Sequence, residues 1–189
     1  MSDDQSRRKI LRGTVKLMIL VVFAWLAWMV SGYMTQSPDP ERRTGLSIDL
    51  MGLAAGDYMI VRWDHRKLYV WHRSDAMLRQ LRGYEDRLED PDSSRSRQPE
   101  AATNHYRSLD PHYLVIYARN NDRDCEVEAL GTSPSELPVT PWFGGFADSC
   151  QSVYYDLAGR AYASQGVQRN LEVPAHQILG GKLYLMEEE

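Results

Sequence analysis

A chain of 189 residues, 43% apolar and 25% charged, reads as one domain with appendages and is long enough to bury a core. Its net charge of −4 gives no sign of nucleic-acid binding, which is expected to show a basic patch. Its two cysteines are therefore not needed merely to keep it folded.

The N-terminal segment 1–16 is basic, with Arg7, Arg8, Lys9, Arg12 and Lys16. No charge then occurs from Leu17 to Pro38. A bilayer core needs ~20 apolar residues as a helix, so 17–36 predicts a transmembrane anchor. Positive charge beside a span stays in the cytoplasm, which places the rest of the chain across the membrane; Arg42 and Arg43 weaken that reading without reversing it. A cleaved signal peptide fits less well, because "SGYMTQS" is a poor cut site. Arg7 and Arg8 in "SRRKIL" match a twin-arginine export signal, with a plain basic flank as the other reading. Residues 37–46 read as a linker.

From 47 to 189 the pattern is mostly β. "DYMIVRW" and "KLYVWHR" around "DHR" predict a hairpin. Ser74 caps a short helix through "DAMLRQLR" that ends at Gly83, with Met77, Leu78 and Leu81 facing the core. Residues 84–105, rich in charge, Ser and Pro, read as an exposed insertion. "HYLVIYAR" (112–119) predicts a buried strand. Further short β-like runs bring the expectation to seven to nine strands and one helix.

Chemistry-bearing patterns are few. His65, His72, His105, His112 and His176 each read as a lone surface histidine. No nucleophile elbow or phosphate-cradling loop occurs, and "WFGGF" reads as a tight turn. An exported domain with two cysteines predicts one disulfide, Cys125 to Cys150; the loop it closes corresponds to about 3.5 kcal/mol of chain entropy. The loops around the two cysteines carry Asn120, Asp122 and Asp148. Their oxygens suit a hard cation, and a solvated polar loop tip is the plainer reading.

The layout resembles the Rieske iron–sulfur subunit of the ubiquinol–cytochrome c reductase (cytochrome bc) complex, in its bacterial form. "SRRKIL" with the uncleaved span, "GDYMIVRW", "LYVWHR", "WFGGF", "YYDLAGRAY" and "NLEVP" carry the similarity, in order and over nearly the whole chain. The resemblance implies a single transmembrane helix followed by a Rieske-like antiparallel β-sandwich head with one short helix and a loop insertion, "LEDPDSSRSRQPEAATNHYRSLDPHYLVIY". It implies an inner-membrane protein, N-terminus cytoplasmic and head periplasmic. The family holds a [2Fe–2S] cluster with a Cys and a His from each of two loops. Those places are Asn120, Asp122, Asp148 and Gln151 here, so the cluster ligands are absent. The family's cluster-tuning serine stands at Val153, and its proline-rich covering loop falls at "SQGVQ" (164–168). Cys125 and Cys150 stand at the family's disulfide places.

Rieske clusters need two thiolates and two imidazoles. No cofactor or metal is therefore expected, and the chain itself is not expected to be catalytic, although the family activity is quinol–cytochrome c reduction. The resemblance points to a cluster-free subunit with a structural or assembly role. Its expected partners are membrane-embedded respiratory subunits of cytochrome b/c or haem–copper oxidase type, together with the lipid bilayer, and no nucleic acid. The alternatives are a redox-active subunit with non-standard ligation and a free-standing periplasmic interaction module.

Overall fold

The computed structural model describes residues 14–29, 44–120, 122–131, 137–148, 150, 152–167 and 169–186. It divides into two units, Met1–Arg42 and Arg43–Glu189. In the first, residues 14–29 form helix α1, whose apolar side chains from Val15 to Met29 are exposed on every side. Among the described residues no helix is long and apolar enough to cross a membrane. The expected span 17–36 runs on past α1, and its residues 30–36 lie outside the described residues, as do Arg7 and Arg8.

The second unit is mostly β, as expected. Its strands are β1 Thr44–Asp49, β2 Tyr58–Trp63, β3 Arg66–His72, β4 Tyr113–Tyr117, β5 Arg119–Asn120, β6 Cys125–Leu130, β7 Gly145–Asp148, β8 Tyr154–Tyr155, β9 His176–Leu179 and β10 Lys182–Met186. The described residues thus hold ten strands, above the expected seven to nine; β5 and β8 are only two residues long, too short to leave a pattern in the sequence. The strands form three antiparallel sheets, ordered β1-β10-β9, β2-β3-β4 and β5-β6-β7-β8.

Strands β3 and β4 of the middle sheet are buried on both faces. Side chains alternate along a strand, so Leu68 and Val70 of β3 and Val115 and Tyr117 of β4 pack with Leu50, Leu183 and Leu185. Tyr69, Trp71, Leu114 and Ile116 point the other way, onto Val127, Phe146 and Tyr155. A strand with two buried faces reads as a continuous apolar run, which is why "YLVIY" shows no alternation. The β2–β3 hairpin turns at Asp64 and His65, both with positive φ (46° and 60°), as a two-residue primed turn requires. Helix α2, Asp75–Arg79, begins where Ser74 Oγ accepts the Met77 N–H at 3.4 Å. Leu81 is fully buried, and Met77 and Leu78 pack against the same core.

The insertion is not an exposed loop. Tyr84, Leu88, Asp90, Ser93 and Ala102 are buried, and short 3-10 turns form at Glu85–Arg87 and Glu100–Ala102. Asp90 organises the segment. Its carboxylate accepts from the Ser94 and Arg95 N–H groups at 2.9 and 3.0 Å and from the Ser96 hydroxyl at 2.8 Å. The Asn170 amide donates to the Asp90 carbonyl and the Ser93 hydroxyl and accepts the Ala161 N–H, pinning the insertion to the β8–β9 connection. A polar composition thus supplies its own hydrogen-bond partners and can be buried.

Burial pushes the Asp90 carboxyl up, but the hydrogen bonds from Ser96, Arg95 and Ser94 outweigh it and hold it below the ordinary value of 3.8. A depressed folded value means the stabilisation is complete above the unfolded value and is lost as pH falls through the folded one. Asp90→Asn is expected to lower stability by about 1–3 kcal/mol at neutral pH. In urea titrations at a series of pH values, the gap between parent and variant should close below 3.8.

Three arginines, Arg73, Arg107 and Arg160, are fully buried. Arg73 donates to the carbonyls of Pro111, Tyr106 and Leu157 and to the Ser108 hydroxyl. Arg107 donates to the carbonyls of Ala158 and Gly159 and to Gln98 Oε1. Burial lowers the pKa of both, against the pull of Asp156. Asp156 accepts Arg160 Nε at 2.7 Å, the Tyr84 hydroxyl at 3.3 Å, and the Ala158 and Arg160 N–H groups at 2.8 and 2.9 Å.

Candidate functional site

Both cysteine loops leave the same sheet. The first joins β5 to β6, where Asn120 pairs with Cys125. The second joins β7 to β8, where Phe146 pairs with Tyr155 and Ala147 with Tyr154. Val127 opposite Asp148 sets β6 beside β7, so the loops meet at one tip. Asp124, directly before β6, and Ser152, two residues before β8, take positive φ (56° and 57°), which helps each loop reverse the chain in few residues.

The tip is not a solvated polar loop. Asn120 and Asp148 are buried, 1% and 3% exposed, and Asn120 Nδ2 donates to Asp148 Oδ2 at 3.0 Å. Asn120 Oδ1 accepts the Asp122 N–H at 3.0 Å. Asp148 Oδ1 lies 3.5 Å from the Val153 N–H, and the Asp148 N–H donates to the Val153 carbonyl at 2.9 Å. Polar side chains reach this depth because each answers another.

A third segment, 164–167, closes over the tip. Asp122 accepts from Arg169 Nε at 2.5 Å and from the Arg169 N–H at 3.0 Å. Arg123 donates to the Gly166 carbonyl at 2.8 Å. Gly166 has φ +75°, and a Cβ there would come within 2.7 Å of the Arg123 guanidinium. Arg169 was not anticipated from sequence, since an arginine after a Gly/Gln loop carries no spacing signal.

The sequence reading also passed over Tyr155. Its side chain is fully buried and its hydroxyl has no hydrogen-bond partner among the described residues. Burial raises its pKa, and the charges of Asp148 and Asp122 raise it further.

The structure brings the two cysteines together without a bond. Cys125 is buried and Cys150 exposed, both as free thiols in this structure. Cys125 Sγ donates to the Arg123 carbonyl at 3.6 Å. A hydrogen bond with the Cys150 thiol, together with burial, raises the Cys125 pKa. Gln151 lies outside the described residues.

The five histidines meet other groups. His72 Nδ1 meets the Leu53 carbonyl, His105 stands near Glu85, and His112 lies between Asp75 and Asp110. His65 is part of the hairpin turn. His176 departs from the surface expectation: it is 2% exposed, with Nδ1 on the Pro174 carbonyl, and burial lowers its pKa. It sits at the start of a strand packed inside the head, where a neutral ring is tolerated.

The donor set decides what the tip can hold. A [2Fe–2S] cluster of the Rieske kind takes thiolate and imidazole. Asn120, Asp122 and Asp148 offer amide and carboxylate oxygen, already committed to one another and to Arg169. The residues present do not fit the cluster. Among the described residues no three His, Cys, Asp or Glu side chains are grouped to hold a metal ion.

No family model matches the chain. It is 31% identical over 148 residues to a ubiquinol–cytochrome c reductase iron–sulfur subunit of Allochromatium vinosum, covering 75% of this chain and 68% of the relative. It is 22% identical over 151 residues to the mitochondrial cytochrome b-c1 complex subunit Rieske of Saccharomyces cerevisiae, covering 79% of this chain and 61% of that one. A chain of a hyperthermophilic respiratory Complex III gives a TM-score of 0.42 at 13% identity, over 90% of this chain and 96% of that one, a likeness too low to carry weight. On the strength of the first relative, whose sequence it follows over more than two thirds of its length, this chain belongs to the Rieske iron–sulfur subunit family of ubiquinol–cytochrome c reductase.

Proposed function

We propose that this chain is a cluster-free Rieske-family subunit with a structural or assembly role in a respiratory electron-transport complex, of the cytochrome bc kind or an associated terminal oxidase. One observation carries the reading. Where the family places its cluster ligands, Asn120 and Asp148 are buried and hydrogen-bonded to each other, and Asp122 is clamped by Arg169. Side chains that answer one another at these places hold their arrangement without a metal. The apolar run 17–36 and the basic flank before it support an inner-membrane anchor with the head outside the cytoplasm. The reading takes cytochrome b/c or haem–copper subunits as partners.

A tagged full-length chain, isolated from membranes of its own host, is expected to bring down cytochrome subunits and to contain no iron of its own. A rhombic Rieske-type EPR signal from the purified, reduced chain would overturn the cluster-free reading. Isolation free of any cytochrome, with normal assembly after deletion, would overturn the structural role.

Cys125 and Cys150 are adjacent thiols, and the same reading takes them as a disulfide in an oxidising compartment. Under such conditions Cys125→Ser is expected to lower stability by about 3.5 kcal/mol. Equal melting temperatures, or two titratable thiols in the unreduced protein, would show the bond does not form.

A further inference from the structure

Two depressions, bordered by the outward face of the β2–β3 hairpin and by strand β6, make a broken groove on the head. One, of about 250 Å³, is lined by Arg62, Arg66, Lys67, Arg119 and Glu126. The other, of about 510 Å³, is lined by Tyr58, Trp71, Met77, Ala129 and Leu130. Between them the Ala129 N–H donates to the Tyr69 hydroxyl at 3.3 Å, and Lys67 meets Glu126 at 2.9 Å, which holds the two walls in register.

The alternate residues Tyr58, Ile60 and Arg62 share one face of β2, opposite Trp71, Tyr69 and Lys67 of β3. Tyr58 and Ile60 are 44% and 53% exposed. The Tyr58 ring packs on Tyr69 and Trp71 with centroids 5.4 and 5.2 Å away, so it is a fixed surface rather than a waving side chain. Tyr58, Trp71 and Met77 line one depression and Arg62, Arg66 and Arg119 the other, and Tyr, Trp, Met and Arg are the residue types enriched in protein-binding patches.

The two ends differ in charge. Arg62, Arg66, Lys67 and Arg119 crowd the smaller depression in a chain of net charge −4. Arg66 is held by Glu172 at 3.1 Å, Lys67 by Glu126 at 2.9 Å, and Arg119 by Asp124 at 2.7 Å. Arg62 makes no ion pair among the described residues. The Lys67 and Arg119 pairs are partly open to water, where such contacts are readily exchanged for an incoming carboxylate.

We propose that this groove docks a segment of a partner protein that carries apolar side chains at the Tyr58–Met77 end and carboxylates at the Arg62–Arg119 end. The inference stands apart from the respiratory-complex reading, because it rests on the groove alone.

The test places a photo-crosslinking benzoyl-phenylalanine at position 60 of the full chain in its host's membranes, with position 179 as a control. Leu179 is exposed to a similar degree, 49%. The expected result is one crosslinked segment from position 60, absent from position 179 and rich in Asp or Glu. Arg62→Glu should lower its yield roughly tenfold, as like charges set face to face do. Exchanging the segment's carboxylates for lysine should restore the yield. Arg62→Gln, with the yield followed as salt is raised, replaces the reversal if that variant melts early. Equal labelling from both positions, capture only of lipid or of a second copy of this chain, a segment without carboxylates, or indifference to Arg62 and to salt would each overturn the proposal. A carboxylate-bearing segment from a protein outside any respiratory complex would uphold the groove and count against the proposed function.

Discussion

Asp156→Asn is expected to destabilise the head by about 3–5 kcal/mol, the range for removing one partner of a buried ion pair. Asp156 is 1% exposed and answers Arg160, which is fully buried. Arg73 and Arg107 also feel its charge. Without the carboxylate, three guanidinium groups would share the interior with backbone carbonyls as their main acceptors. Arg160 Nη1 already has no partner among the described residues. Asn keeps the shape and one acceptor oxygen, so the loss measures charge rather than volume. Equilibrium unfolding in urea checks it, with the slope of the transition unchanged. A loss below about 1 kcal/mol would mean that hydrogen bonding alone accounts for the site.

Gly145→Ala is the second large effect, expected at about 4 kcal/mol or as failure to accumulate folded protein. A Cβ at 145 would lie 2.0 Å from the Tyr155 carbonyl oxygen and 2.8 Å from the Asp156 carbonyl carbon, and φ is +152°. Both obstacles are backbone, so no side chain can swing aside. The close approach is what lets β7 run tight against β8 and lets Asp156 reach Arg160. Gly52→Ala is the control: nothing lies within 4 Å of a Cβ there. That variant should melt with the parent. The sequence reading saw "WFGGF" as a tight turn, and Gly144 does take φ +97°. What it had no means to see was the Tyr155–Asp156 backbone passing beneath.

Legibility followed the range of the forces involved. The β2–β3 hairpin, the Ser74 cap and the β4 run were readable because each is set by neighbours in sequence: a turn pair, a cap three residues from its N–H, a run of apolar side chains. The three-sheet layering was not, since nothing local says which face of β3 meets Leu183 and which meets Phe146. The insertion was misread for a related reason. Its Ser, Asp and Arg residues look solvated, yet Asp90 is 2% exposed, because Ser94, Arg95, Ser96 and, from 80 residues away, Asn170 satisfy it.

The tip shows the same division. That Asn120, Asp122 and Asp148 stand at the family's ligand places is what the resemblance implies. That Asn120 donates to Asp148, and that Arg169 holds Asp122, depends on three loops converging. His176, taken for a surface residue, is inside because β9 packs against β10 within the head. A lone histidine offers no pattern from which depth could be inferred.

The hydrogen bond between Asn120 and Asp148 also constrains substitution. Exchanging Asn120 for cysteine would remove one donor to Asp148, and exchanging Asp122 for histidine would remove the carboxylate that Arg169 meets. Each such step removes a hydrogen bond from a buried or half-buried group, a loss on the order of 1 kcal/mol. On the proposed cluster-free reading, the pairs that let this tip stand without a metal also make single exchanges toward thiolate or imidazole costly in stability.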